Sequence, residues 1–277
     1  MKYLHLFDTE TNFNTVYKGK GYVEPWASYT EDVARVSFNK EKWPFGLLET
    51  PLTFEITGNG DIVWKANKSD TALIKTIEYK LNDGEWVSIT SNTGSSAPRI
   101  TVVSGDIVQF RGNNTQISIG NGEWVMFNGT TAQFNIKGNI MSLLNKTNYS
   151  TMTRLSKYTF KCLFYNCTGL TDASKLLLPA TTLADSCYAS MFYGCSSLTA
   201  APELPATILA KDCYEQLFHT CSGLNYIKCL ATDISATGCT NAWLYNVASS
   251  GTIVTPSSVS WRTGDSGIPT GWTRVDA

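Results

Sequence analysis

The chain has 277 residues and a formal net charge of −1, so it is long enough to bury a sizeable core and has no overall field that would draw it to nucleic acid or an acidic membrane. Only 16% of the residues are charged and 12% are aromatic, a balance that suits β-rich extracellular or virion proteins. No window approaches the ~18 apolar residues of a membrane-spanning helix.

The N-terminal stretch "MKYLHLFDTETNF" has a few apolar residues before Asp8 and Glu10 interrupt it. It contains no apolar run of the ~7–15 residues that a secretory signal requires. We therefore expect synthesis in the cytoplasm without conventional export.

Residues 1–45 are too few for an independent core, yet they are rich in aromatic side chains. The arrangement "LFDTETNFNTVY" followed by "YVEPWASYTEDVARVSFN" resembles an N-terminal segment that recurs on proteins of gut anaerobes and their phages, including crAss-like phages. That resemblance implies a docking segment. Because aromatic anchors dominate protein interfaces, we predict contact with another chain through Tyr22, Pro25, Trp26 and Tyr29. The alternative is a β-hairpin packed on the following domain.

Residues 46–120 contain short β-rich runs with partial alternation, among them "LTFEIT", "DIVWKA", "IKTIEYKL", "EWVSIT" and "DIVQFRG". The dipeptide Asp83-Gly84 lies between two of these runs and is a strong signal for a hairpin turn. Short strands at this spacing predict an Ig-like β-sandwich, although the Cys…Trp…Cys pattern of immunoglobulin domains is missing.

A repeat of about 26 residues dominates the second half of the chain. Two sets of cysteines follow it. The first set is Cys187, Cys213 and Cys239, and the second is Cys167, Cys195 and Cys221, in which the first interval is 28 residues. Each unit combines a short apolar strand, a turn with proline and a predicted helix such as Asp185–Tyr193. One unit cannot bury its apolar face alone, so stacked units would share a core. We predict a solenoid over residues 121–256 and a C-terminal cap over 257–277.

The repeated cysteines have three interpretations. Disulfides are disfavoured because cysteines eight residues apart on a helix lie ~12 Å from each other, beyond the ~7 Å reach of a bridge, and stacked side chains run parallel. A zinc site would need short C-x₂₋₄-C spacings, which are missing, and His219 stands alone. Buried thiols behave as small hydrophobes, so we prefer structural ladders of unpaired cysteines; disulfides and a metal site are the alternatives.

The repeated sequence motifs resemble those of a known family. "FYNCTGLT" and "FYGCSSLT", with C-x-x-L and L-P-x-x-x-x-L spacings over residues 158–256, resemble BspA-type leucine-rich repeats, found on surface proteins of gut and oral anaerobes and in their phages. The resemblance implies a right-handed solenoid with a β-sheet on one face, and it implies binding or adhesion as the function. It transfers no site residue. The units here have "TAAPEL" where the family often has β-branched strand residues.

Motifs for catalysis are weak. His5 and His219 lie far apart and have no recognisable partner motif. The tetrapeptide "GDSG" at 264–267 surrounds the nucleophile of trypsin-like proteases, but no His/Asp context precedes it here. Near the C-terminus, three tryptophans are interpreted as covering the open end of the core, with a sugar-binding surface as the alternative: Trp243, Trp261 and Trp272.

These features predict a mainly β protein with some α-helix: a β-rich docking segment, an Ig-like sandwich, a leucine-rich-repeat solenoid and a cap. The predicted function is a non-enzymatic phage virion structural protein, such as a head or tail fibre or a decoration protein. It would dock on capsid or tail proteins, form a homo-oligomer and present its solenoid to a host-surface protein or glycan. We expect no cofactor, no nucleic-acid partner and no membrane insertion. The alternative is a leucine-rich-repeat adhesin on a bacterial cell surface.

Overall fold

The computed structural model describes residues 45–277, and the description of side chains begins at Gly46. This part of the chain is mainly β with little helix. The predicted docking segment, with Tyr22, Pro25, Trp26 and Tyr29, lies outside the described residues.

The described elements are one short α-helix, four 3₁₀ turns and thirteen strands, in two groups along the chain. The first group is α1 (Phe45–Leu48), β1 (Leu52–Gly58), β2 (Gly60–Val63), β3 (Lys65–Ala66), η1 (Thr71–Leu73), β4 (Thr76–Leu81), β5 (Val87–Thr90), η2 (Gly94–Ser96), β6 (Arg99–Val102) and β7 (Ile107–Gly112). The second group is β8 (Val125–Met126), β9 (Gln133–Asn139), η3 (Ile140–Leu143), η4 (Tyr149–Thr151), β10 (Leu170–Leu177), β11 (Tyr226–Lys228), β12 (Gly251–Val254) and β13 (Trp272–Val275).

The largest sheet has six strands in the order β10-β9-β1-β7-β4-β5. Its pairs are antiparallel except β9–β10, which is parallel. A second sheet, β11-β12-β13, is entirely parallel, and two small antiparallel pairs, β2–β6 and β3–β8, complete the set. Alternating inward residues of β7, such as Val108 and Phe110, are fully buried, as expected for a strand with one face on a core.

The predicted hairpin at Asp83-Gly84 is confirmed. β4 and β5 pair antiparallel from Thr76↔Thr90 to Tyr79↔Val87, and the Gly84 N–H donates to the Leu81 carbonyl at 3.0 Å. The left-handed residue of this turn is Asn82, with φ of 51°. Its amide oxygen accepts the Ile107 N–H at 2.8 Å, which ties the turn to β7.

The core continues across residue 120, where the sequence placed a domain boundary. β9 pairs with β1 on one side and with β10 on the other, so one sheet joins the front strands to the first repeat unit. A single cluster of buried apolar side chains extends from Leu52 to Trp272. The front half and the repeats therefore share one hydrophobic core.

The predicted helix at Asp185–Tyr193 is wrong. In its place the chain makes consecutive turns, in which alternate N–H groups donate to the carbonyl three residues earlier, as Ala189 does to Ser186 at 3.2 Å. Every fourth residue is left-handed: Ser186, Ser190 and Gly194 have φ of 54°, 53° and 72°. Such a φ costs a non-glycine residue ~1–2 kcal/mol, so packing and hydrogen bonds to neighbouring units must offset it.

Those hydrogen bonds run between units. The Ser186, Ser190 and Phe192 N–H groups donate to the carbonyls of Lys211, Glu215 and Leu217 at 2.9, 2.8 and 3.0 Å. The next unit repeats the pattern: the Asp212, Gln216 and Phe218 N–H groups donate to Thr237, Asn241 and Trp243 at 3.1, 2.8 and 2.9 Å. The donors that the turns do not use are therefore satisfied by the carbonyls of the next layer. A solitary helix would satisfy these donors within itself.

Three phenylalanines, each three residues before a cysteine of the second set, stack inside the repeat. Phe164, Phe192 and Phe218 are completely buried, and neighbouring rings stack with centroids 5.4 Å apart in both intervals. Phe127 extends the row by one ring, 5.7 Å from Phe164. The row thus starts in the front half of the chain, where Phe127 also packs on Phe54 at 4.9 Å.

Candidate functional site

The thiols of the two cysteine sets lie inside the repeat. All eight cysteines of the chain are buried and unpaired. The thiols of Cys195 and Cys221 donate to the carbonyls of Phe164 and Phe192, each in the preceding unit, at 3.1 and 3.0 Å. Cys167 donates likewise to Phe127, at 3.4 Å. The other set is less regular: Cys213 is 3.9 Å from the Cys239 carbonyl, and Cys239 donates to Ile234 at 3.2 Å. Since no helix forms there, the distance argument from helical rise does not apply, and packing and these carbonyl contacts account for the thiols.

Burial makes these thiols unreactive. Desolvation raises the pKa of Cys187 and of Cys195 to about 12, and it also raises that of Cys221. The thiolate is the reactive form, so native protein at pH 8 should take up no iodoacetamide. After denaturation without reductant, intact mass should show eight adducts. Fewer than six would mean that some cysteines are paired and would contradict the ladders.

A column of rings follows the outer side of the repeat. Tyr165, Tyr193, His219 and Tyr245 stack in sequence, with centroids 4.8, 4.5 and 4.6 Å apart. The rings cover each other's faces, and the inner rings of Tyr193 and His219 are only partly exposed. Tyr245 is 46% exposed and ends the column, so one of its faces has no ring against it among the described residues. The column was not predicted from the sequence, although its members are 28, 26 and 26 residues apart, which are the intervals of the cysteine repeat.

His219 is a member of this column. Its ring lies between Tyr193 and Tyr245, and its buried Nδ1 has no hydrogen-bond partner among the described residues. Desolvation lowers the pKa of His219, opposed by the charge of Asp265. Cys221 is two residues away, but its thiol is committed to the Phe192 carbonyl. The two groups therefore do not form a nucleophile and base pair.

The three C-terminal tryptophans cover the end of the core. Trp243 is fully buried and Trp272 is 8% exposed, while the Trp261 ring stacks on Trp243 with centroids 5.3 Å apart. Each indole N–H has an acceptor: Gly267 O for Trp243, Ala248 O for Trp272 and Thr255 Oγ1 for Trp261, at 2.8, 2.8 and 3.0 Å. The structure thus favours capping for Trp243 and Trp272, while Trp261 also faces a cleft.

The "GDSG" tetrapeptide closes part of the last layer. Ser266 Oγ accepts the Ala242 N–H at 2.8 Å, and the Asp265 carbonyl accepts the Leu244 N–H at 3.1 Å. In earlier units, the N–H groups at the positions equivalent to Ala242 and Leu244 donate to backbone carbonyls of the following unit. The serine hydroxyl serves as a hydrogen-bond acceptor in the cap.

A cleft of about 350 Å³ lies between the last repeat unit and the cap. The unit contributes Thr237, Gly238 and Thr240 to its lining, and the cap contributes Trp261 and Arg262. Thr240 Oγ1 and Arg262 Nε both donate to the carbonyl of Ser266, at 2.9 and 3.3 Å. The guanidinium is therefore held next to the last layer. Apart from Trp261, the sequence reasoning gave no indication of this site.

A second cleft, also of about 350 Å³, is lined by residues of β4, β5 and β7 and by Lys146. Its carboxylate, Glu78, accepts from Lys146 Nζ at 2.7 Å and from Arg111 Nε at 2.6 Å. These two hydrogen bonds, that of Lys146 first, lower the pKa of Glu78. The Arg111 guanidinium also lies 3.8 Å from the Trp86 ring centre. With both oxygens engaged by cations, Glu78 is not available as a general base.

Within residues 45–277 no group of three or more His, Cys, Asp and Glu side chains is placed to hold a metal ion. None of the helices described there is long and apolar enough to cross a membrane.

Comparison with known proteins adds no relative. No family model, no curated protein and no solved structure matches the chain.

Proposed function

We propose that this chain is a non-enzymatic phage virion structural protein, a head or tail fibre or a decoration protein, that uses a leucine-rich-repeat solenoid to bind a host-surface protein or glycan. The resemblance of its repeats to BspA-type units supports the solenoid and the adhesive role. The resemblance of residues 1–45 to a phage-associated segment supports attachment to other virion proteins through Tyr22, Pro25, Trp26 and Tyr29.

The observation that carries the binding role is the regular outer surface of stacked layers. Successive units present equivalent side chains at neighbouring heights, as in Tyr165, Tyr193, His219 and Tyr245, whose ring centroids are 4.5–4.8 Å apart. The eight thiols, in contrast, are buried inside the repeat. Solenoids use such extended, repetitive surfaces for binding. We propose the ring column as the contact face, with Tyr245 at its exposed end.

The front half fits the role of a rigid support. It shares one core with the repeats, and we propose that its strands form the Ig-like sandwich expected from the sequence. A binding surface held on such a support loses little conformational entropy when it meets its target.

Mass spectrometry of purified virions tests the location, and we expect peptides of this chain in the particle. Particles assembled with a variant that lacks residues 1–45 should lose the protein, while the remaining chain stays folded by circular dichroism. Detection in the bacterial envelope and not in virions would favour the cell-surface adhesin. Normal incorporation of the truncated chain would place attachment elsewhere.

Adsorption tests the contact face. Purified full-length protein should compete with the phage for host cells, and Tyr245→Ala should weaken that competition about tenfold or more, because a truncated aromatic anchor costs ~2 kcal/mol or more of binding. Tyr226→Ala is the matched control, since Tyr226 is equally exposed at 46% but lies on β11, away from the column. Equal effects of the two substitutions would exclude the column as the contact face.

A further inference from the structure

The last repeat layer ends with two backbone donors that lack the carbonyl acceptors of the earlier layers. In the two preceding units, the equivalent N–H groups donate to the following unit: Ser186 and Tyr188 to Lys211 and Cys213, at 2.9 and 3.2 Å, and Asp212 and Tyr214 to Thr237 and Cys239, at 3.1 and 2.9 Å. In the last unit the corresponding groups are the N–H groups of Gly238 and Thr240. Neither donates to a backbone carbonyl within residues 45–277; the Thr240 N–H reaches only the neighbouring Cys239 thiol, and both residues line the cleft beneath the cap.

The cleft also holds a cation. Arg262 lines it, with Nε donating to the same Ser266 carbonyl that accepts from Thr240 Oγ1. Desolvation raises the pKa of the Cys239 thiol, and this effect is opposed by hydrogen bonds from Thr240 and, more weakly, by the charge of Arg262. Gly238 is left-handed, with φ of 68°, and the Cys239 N–H between the two donors is already used, since it donates to the Ala236 carbonyl at 3.2 Å.

The remaining lining suits a sugar. Trp261 offers an indole, and Thr237 and Ser260 offer hydroxyls; a volume of about 350 Å³ is at the small end of the range for ligand pockets. A polypeptide strand fits less well. It would continue along the layer, but the cap already occupies the next two donors, Ala242 and Leu244.

We propose that this cleft binds a carboxylate-bearing sugar residue, a hexuronic acid, with its carboxylate on Arg262 and the N–H groups of Gly238 and Thr240 and its ring against Trp261. Charge-assisted hydrogen bonds of this type are about twice as strong as neutral ones. One nearby acid opposes the anion: Asp212 lies against Gly238 from the preceding unit, although it does not line the cleft. The proposal names a ligand class for the glycan-binding role and in that respect rests on the proposed function.

The test is a titration of the full-length protein with D-glucuronate and D-glucose, which differ only in the carboxylate, followed by calorimetry and by amide NMR shifts. Glucuronate should bind saturably, at least tenfold more tightly than glucose, and should shift the Gly238 and Thr240 amide signals. Arg262→Gln should weaken glucuronate binding at least tenfold, whereas Arg154→Gln, at an exposed arginine outside the cleft, should not. Asp212→Asn should tighten it.

Equal affinity for glucose, or unchanged binding by Arg262→Gln, would overturn the proposal. Acetate binding as tightly as glucuronate would reduce the site to an anion pocket and would overturn the sugar assignment. If the cleft fails in these ways while the protein still competes for host cells, only this inference falls. If the competition fails while glucuronate binds as expected, the adhesive function on the virion falls and the site remains.

Discussion

Phe218→Ala should destabilise the protein by about 3–5 kcal/mol, the range for truncating a large buried aromatic side chain. The Phe218 side chain is fully buried and stacks on Phe192 at 5.4 Å. Its backbone N–H donates to Trp243 of the next unit at 2.9 Å, which fixes the layer in place and limits collapse around the cavity. Urea unfolding followed by circular dichroism would measure the loss as a lower midpoint with little change in slope.

Tyr226→Ala is the control for the loss of an aromatic ring as such. Tyr226 belongs to the same unit but is 46% exposed on β11, so its removal should change the unfolding free energy by only ~0.5 kcal/mol. A loss below ~1 kcal/mol for Phe218→Ala would mean that the ring is not in the core. The register of every repeat unit would then be wrong, since the phenylalanines and cysteines are tied by fixed spacing.

The repeat register was predictable from the sequence, but the local backbone was not. Residues 187, 191 and 195 are all buried, and a spacing of four fits a helical face as well as it fits turns repeating every four residues. What distinguishes the two is the residue type at the left-handed positions. Short polar residues recur there, such as Asn166, Ser190 and Asp212, and Asn and Asp tolerate this conformation best after glycine. This recurrence of short polar residues is a weaker signal than apolar periodicity. It favours turns only when a neighbouring layer supplies carbonyl acceptors for the backbone N–H groups.

The candidate site was even less predictable, because it forms where the repeat ends. The cleft depends on the Gly238 and Thr240 donors lacking the acceptors that earlier layers have, and on the cap placing Trp261 and Arg262 beside them. These contacts join residues more than 20 positions apart in a non-repetitive tail. Spacing alone carries no information about how such a tail folds back, whereas the ring column could have been found by extending the 26-residue step to Tyr193, His219 and Tyr245.

Substitution of Gly138, at the junction between the front strands and the repeats, should also lower the free energy of unfolding strongly. This residue lies in β9, has φ of 83° and packs so closely on the chain entering β1 that a Cβ would overlap the Pro51 carbonyl oxygen. Gly138→Ala should therefore combine the ~1–2 kcal/mol cost of a left-handed alanine with ~1–3 kcal/mol for displacing packed backbone. We expect a loss of about 2–5 kcal/mol in the free energy of unfolding.

Gly129→Ala separates these two contributions. Gly129 has nearly the same φ, 88°, but no heavy atom lies within 4 Å of a Cβ built there, so only the conformational cost of ~1–2 kcal/mol applies. The difference between the two variants in urea unfolding then measures the close approach of Pro51 to β9. A clear excess for Gly138→Ala, with one cooperative transition, is expected if the front strands and the repeats unfold together as one core. Equal losses would mean that the two segments do not meet at Gly138, and two separate transitions would restore the boundary at residue 120.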